Sequence, residues 1–131
     1  MVPIAGEVVF LPKDASIPIT LKSREYEVFT VVPAREVSNG VRFAPIGLIK
    51  MFNSGGAIKE MSCEKSEEGT TVVLKACGCG LFGAYSSARP KRITVDSEEM
   101  EFGYEEGSGL ATVSLRVAEE ELYLWNITIE L

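Results

Sequence analysis

Alternation of apolar and polar residues with a period of two runs through most of this 131-residue chain. Ile17, Ile19 and Leu21 share one phase, and Ser16, Thr20 and Lys22 the other. Met100, Phe102 and Tyr104 alternate with Glu99, Glu101 and Glu105. Val113, Leu115 and Val117 oppose Thr112, Ser114 and Arg116, and Tyr123, Trp125, Ile127, Ile129 and Leu131 oppose Asn126, Thr128 and Glu130. Successive side chains of a strand point to opposite faces, so each run predicts a strand with one face in a core. Pro18 lies inside the first run and removes a ladder donor, which places the expected strand 16–22 at a sheet edge.

Turn residues interrupt these runs at short intervals. Ser38-Asn39-Gly40, Asn53-Ser54-Gly55-Gly56, Glu67-Glu68-Gly69 and Gly107-Ser108-Gly109 supply residues that tolerate positive φ, and Pro12, Pro33 and Pro90 bound strands. Asn53 to Gly56 reads as a hairpin turn. It lacks the spacing of a phosphate loop, and no helix follows to present backbone amides to an anion. Residues 117–122 could make one helical turn but sit between two strong strands, so they read as a connection. The sum is an all-β chain of ten or so short strands: an antiparallel β-sandwich with Greek-key connections, with a closed β-barrel as the alternative. With no internal repeat or linker, residues 1–131 read as a single domain.

Composition narrows the function. A chain of 46% hydrophobic and 24% charged residues is ordinary for a globular domain, and no apolar run approaches the roughly 20 residues of a membrane-spanning helix. The net charge of -6, with acidic residues gathered at 98–106 and 119–121, disfavours a phosphate backbone as ligand. The only basic group, Arg89-Pro90-Lys91-Arg92, is short and interrupted. Neither nucleic acid nor membrane is an expected partner. Three cysteines argue against a disulfide framework, and Met1 to Gly6 has neither the basic start nor the apolar run of a signal peptide. An intracellular, cytoplasmic setting is expected, in which the sequon Asn126-Ile127-Thr128 has no role.

The chain contains no histidine, which removes the Ser-His-Asp and Cys-His systems and the commonest transition-metal ligand. Cys77-Gly78-Cys79 would place two thiols on one side of a strand. A structural zinc site wants four ligands, and only Cys63 remains, so the pair reads as small buried packing residues. Glu99, Glu101, Glu105 and Glu106 fall on polar phases or in a turn and read as solvated rather than as a catalytic pair. No catalytic residue, metal or cofactor is expected. Aromatic faces can stack on sugars, and Trp125 with Tyr123, or Phe82 with Tyr85, could form such a platform. Trp125 shares the phase of Ile127 and Ile129 and is expected in the core. Tyr85, followed by Ser86 and Arg89, is the best candidate for a sugar contact.

Two long segments carry a resemblance. Arg42-Phe43-Ala44-Pro45-Ile46-Gly47-Leu48-Ile49-Lys50-Met51-Phe52-Asn53-Ser54-Gly55-Gly56-Ala57-Ile58 and Gly80-Leu81-Phe82-Gly83-Ala84-Tyr85-Ser86-Ser87-Ala88-Arg89-Pro90 are similar to the C-terminal portion of plant raffinose-synthase-like proteins. That group includes seed imbibition proteins and alkaline alpha-galactosidases. Ala5 to Val9, Arg24 to Pro33 and Glu121 to Trp125 extend the resemblance over nearly the whole chain.

The resemblance implies a C-terminal antiparallel β-sandwich packed beside a (β/α)8 barrel that carries two catalytic aspartates. The parent activity it implies is galactosyl transfer from galactinol to sucrose, or alpha-galactoside hydrolysis. None of the barrel's motifs occurs here. The expected role is therefore that of a non-catalytic accessory domain whose partner is the catalytic barrel, with an independent carbohydrate-binding module as the alternative. A sandwich separated from its barrel leaves an edge or an apolar face uncovered, so self-association is expected.

Overall fold

A computed structural model of the chain describes residues 11–26, 29, 31–38, 40–49, 54–66, 69–116 and 124–131. Among these, ten strands form two antiparallel five-stranded sheets. One sheet contains β1 (Arg35–Ser38), β2 (Val41–Leu48), β5 (Gly80–Ser86), β9 (Leu110–Leu115) and β8 (Gly103–Glu105), ordered β1-β2-β5-β9-β8. The other contains β3 (Ile58–Ser66), β4 (Gly69–Cys77), β10 (Leu124–Glu130), β6 (Arg92–Val95) and β7 (Glu98–Met100), ordered β3-β4-β10-β6-β7.

Four hairpins stay within a sheet: β1–β2, β3–β4, β6–β7 and β8–β9. All other connections cross from one sheet to the other, so the remaining strand neighbours, β2/β5, β5/β9, β4/β10 and β10/β6, are distant in sequence, as Greek-key connections require. Among the described residues no pairing joins the edges of the two sheets, and the sandwich, not the closed barrel, is the observed form.

The inward phases meet in one core. Phe43, Leu48, Phe82, Val113 and Leu115 come from the first sheet, and Val72, Leu74, Ile93, Trp125, Ile127 and Ile129 from the second. Each such side chain contributes about 1.5–3 kcal/mol on leaving water. Strand β4 alternates strictly between half-buried and buried positions along its length, as a central strand with one face inside should. Thr70 ties the sheets together: its hydroxyl donates to the Val37 carbonyl (3.0 Å), and its own carbonyl accepts from the Leu131 amide (2.9 Å).

Four sequence expectations need correction. Residues 16–22 are not a strand. Local turns shape the segment, with Ala15 N donating to Pro12 O (3.2 Å) and Glu25 N to Lys22 O (3.0 Å), and Asp14 and Arg24 stand at positive φ (63° and 70°). Alternation supplies a face but not a neighbour, and Pro18 withholds a donor from any ladder. Pro12 accordingly sits in a turn rather than bounding a described strand.

Met100, Phe102 and Tyr104 do not share one strand, because the chain leaves β7 at Met100 and enters β8 at Gly103 in the opposite sheet. Their alternation survives the corner, since all three are half-buried while Glu99, Glu101 and Glu105 are exposed. The hairpin turn expected over 53–56 is not found at residues 54–56 either, and Asn53 lies outside the described residues. A 3-10 turn over Ser54–Ala57 carries the chain from β2 in one sheet to β3 in the other. The fourth correction concerns Cys77 and Cys79, which lie at another crossing between sheets, half-buried and exposed respectively, instead of packed inside. The expected turns at Gly40, Gly69 and Gly109 do occupy hairpins, each glycine with positive φ. Val117, Tyr123 and the connection 117–122 lie outside the described residues.

Candidate functional site

The candidate sugar contacts lie at the end of β5. Tyr85 and Ser86 are consecutive strand residues and therefore face opposite ways. Ser86 turns inward and is fully buried. Its hydroxyl donates to the Ala88 carbonyl (2.6 Å), its amide donates to Gly109 O (2.8 Å), and its carbonyl accepts from the Tyr104 hydroxyl (2.9 Å). The bonds with Gly109 and Tyr104 close the β5 end onto the β8–β9 hairpin, and a buried hydroxyl engaged by the Ala88 carbonyl does not meet a ligand.

Tyr85 faces outward, opposite Ala44 on β2 and Leu110 on β9. Its ring lies close against Gly109, where a Cβ would stand 2.6 Å from Tyr85 Cε2 and 2.8 Å from Ser86 O. Gly109 also has φ of 74°, so both backbone and space demand glycine there. Arg89 is exposed, with its guanidinium carbon 5.7 Å from the Phe102 ring centre and 6.0 Å from that of Tyr104, a cation–π arrangement over two rings. Partial burial raises the Tyr104 pKa above its usual 10.0, as do Tyr85 and Glu106, while Arg89 opposes the shift.

The structure thus gathers Tyr85, Ser86 and Arg89 at one end of the sandwich, with Ser86 turned inward, Tyr85 on the opposite face of β5 and Arg89 exposed over the Phe102 and Tyr104 rings. Phe102, Tyr104 and Gly109, which complete the cluster, were not singled out as a site by sequence. The aromatic pair was visible as an apolar phase, but nothing in the spacing from Arg89 to Tyr104 reveals that a sheet-crossing corner brings them together. The alternative platforms fare less well as sugar contacts, for Phe82 is 1% and Trp125 4% exposed.

Glu99, Glu101, Glu105 and Glu106 are all exposed, as their phase implied. Among the described residues, Thr70 and Ser86 are the buried polar side chains, and no group of three or more Cys, Asp or Glu could hold a metal ion. No close carboxylate pair of the kind glycoside chemistry uses is found in a buried setting there.

Taken as a class, this is an antiparallel β-sandwich in which Ser86 and the Tyr104 hydroxyl at the candidate site are engaged in hydrogen bonds of the fold itself. The sequence model "Raffinose synthase or seed imbibition protein Sip1" matches residues 3–115, and the chain belongs to that family. It is 55% identical over 130 residues to "Probable galactinol--sucrose galactosyltransferase 1" of Arabidopsis thaliana, covering 97% of this chain and 17% of that protein. The "Galactinol--sucrose galactosyltransferase" of Oryza sativa subsp. japonica is 36% identical over 79% of this chain and 14% of its own length. "Stachyose synthase" of Pisum sativum is 34% identical over 82% and 12%. The chain therefore spans less than a fifth of the curated relatives it matches.

Proposed function

We propose that this chain is a non-catalytic β-sandwich that braces the catalytic barrel of a raffinose-synthase-like galactosyltransferase. The observation that carries the reading is the segment 11–31, in which apolar side chains stand in water: Ile19 and Leu21 are each 49% exposed, Phe29 41% and Val31 84%. Apolar residues recurring through one stretch in this way mark a contact surface. Most of the length of each relative lies outside the matched portion, so the rest of a parent chain is the occupant this surface fits. The exposed carboxylates and the inward Ser86 support a role without chemistry of its own.

In this reading the parent transfers a galactosyl group from galactinol to sucrose, the activity named for its relatives, in a reducing cytoplasmic setting. Alone, the chain associates with itself through the same surface. The test is a deletion in the Arabidopsis relative. Removing the matched portion should abolish galactosyl transfer from galactinol to sucrose or sharply lower the yield of folded enzyme, and grafting this chain in its place should restore both. A deleted enzyme that keeps full activity and stability would overturn the proposal. The alternative, a carbohydrate-binding module, predicts saturable amide shifts around Tyr85 and Arg89 on titration with raffinose or galactinol.

A further inference from the structure

The Cys77-Gly78-Cys79 crossing is not used by the function proposed above. Cys77 ends β4 in one sheet, Gly78 bends the chain with φ of 98°, and β5 begins at Gly80, φ 120°, in the other sheet. The inner side of this corner is held from both sheets. Trp125 Nε1 on β10 donates to Gly78 O (2.8 Å), and Leu48 Cδ1 on β2 lies 2.8 Å from where a Gly78 Cβ would stand. The thiols belong to the other side. Cys77 falls on the outward phase of β4, opposite Leu124, and Cys79 is exposed.

Two residues separated by one other have Cα atoms at most about 7 Å apart even when extended, and a bend between them shortens that distance. Disulfides form at Cα separations of about 4.4–6.8 Å. The remaining thiol, Cys63 on β3, pairs in register with Val72, five residues along β4 from Cys77, or about 17 Å at the rise of a strand. It does not compete for either partner within the molecule. A closed zinc site is not on offer, since among the described residues no third ligand joins the pair.

We propose that Cys77 and Cys79 form a reversible dithiol–disulfide site that takes a small-molecule disulfide, such as glutathione disulfide, as its oxidant. The Cys79 thiolate attacks one sulfur of the oxidant, forming a mixed disulfide and expelling one thiolate. The Cys77 thiolate then attacks the Cys79 sulfur, closing the internal S–S bond and expelling the second. The protein loses two electrons and two protons, and the oxidant leaves as two thiols. A bond closed across a single residue at an exposed corner is strained and readily reduced, which suits a switch rather than a brace. Ring closure fixes the Gly78 peptide and so disturbs its hydrogen bond to Trp125, the chain's one tryptophan, making the site its own optical reporter.

The experiment uses the full chain carrying Cys63→Ser, equilibrated with glutathione buffers of increasing disulfide fraction. Intact mass should fall by about 2 Da without a lasting glutathione adduct, with a matched change in Trp125 emission, and dithiothreitol should reverse both. Adding Cys77→Ser should instead trap a glutathione adduct on Cys79 and suppress the emission change. Both side chains reach solvent, so these variants keep the core intact, and circular dichroism checks this. Thiols that stay reduced in oxidising buffer, stable adducts on both cysteines, or covalent dimers in place of the internal bond would overturn the proposal.

Discussion

The segment 11–31 and the sandwich that follows it are both rich in alternating apolar residues, yet the alternation ends differently in each. In β10, Trp125, Ile127 and Ile129 are 4%, 0% and 1% exposed, because β4 and β6 flank the strand and the opposite sheet covers its inner face. In the earlier segment Ile19 and Leu21 keep about half their surface, although their spacing is the same. The difference is the neighbour. A strand needs a ladder on at least one side and a second layer over its apolar face, and sequence periodicity specifies neither. The edge strand β3 makes the converse point: it carries the exposed charges Lys59, Glu60, Glu64 and Lys65, of the kind that keep an edge from pairing with another chain. The sandwich guards a long edge, while 11–31 displays unguarded apolar side chains.

The largest expected effects lie in the sandwich. Ile127→Ala should lower stability by about 3 kcal/mol, through lost burial and the cavity left between the sheets, read as a fall in the urea midpoint. Gly109→Ala should cost about 2–3 kcal/mol, since it forces a side chain into positive φ and against Tyr85 and the Ser86 carbonyl.

Tyr104→Phe should cost about 1 kcal/mol at neutral pH by removing the bond to Ser86 O. The same substitution sharpens the comparison through pH. With the Tyr104 pKa raised in the folded state, chiefly by burial, the unfolded chain loses this proton first as pH climbs past 10. The folded state then holds more protons, and stability declines as pH rises through the folded pKa. An alkaline unfolding series should show this decline in the parent chain and a smaller one in Tyr104→Phe.

Smallest in stability are changes in the first segment. Ile19→Ser, Leu21→Ser and Val31→Ser should each alter the unfolding free energy by no more than about 0.5 kcal/mol, because little burial is lost. Combined, they should nevertheless reduce self-association in sedimentation velocity at high concentration, an effect that Lys75→Ala on the sandwich surface should not reproduce. The Lys75–Glu60 pair, at 3.3 Å and largely exposed, adds little to stability.

Much of the sandwich was legible in the chain, because β9 and β10 each present one continuous inward phase, from Ala111 to Leu115 and from Trp125 to Ile129. The sheet crossings were harder to see. Periodicity carried Met100, Phe102 and Tyr104 across a corner without marking it, and the glycines near 54–56 and at 78 and 80 signal a change of direction without saying whether the chain returns to its own sheet. For the same reason the candidate site was only partly visible. Tyr85 could be singled out as a less committed aromatic, but the inward direction of Ser86 follows from strand phase, and two of its three hydrogen bonds come from the β8–β9 hairpin further along the chain, from Tyr104 and to Gly109. The turn at Asp96 and Ser97, both at positive φ, also escapes a search for glycine; the Asn126 amide donates to Asp96 Oδ1 (2.8 Å) and anchors it to β10.

Amide hydrogen exchange over residues 11–31, compared between this chain alone and a full-length parent carrying the same segment, tests the bracing role most directly. Rapid exchange in the isolated chain and strong protection in the full-length protein, with β4 and β10 equally protected in both, is the predicted result. Equal exchange of 11–31 in the two settings would contradict it, for the apolar residues of that segment would then contact nothing that the rest of the enzyme provides.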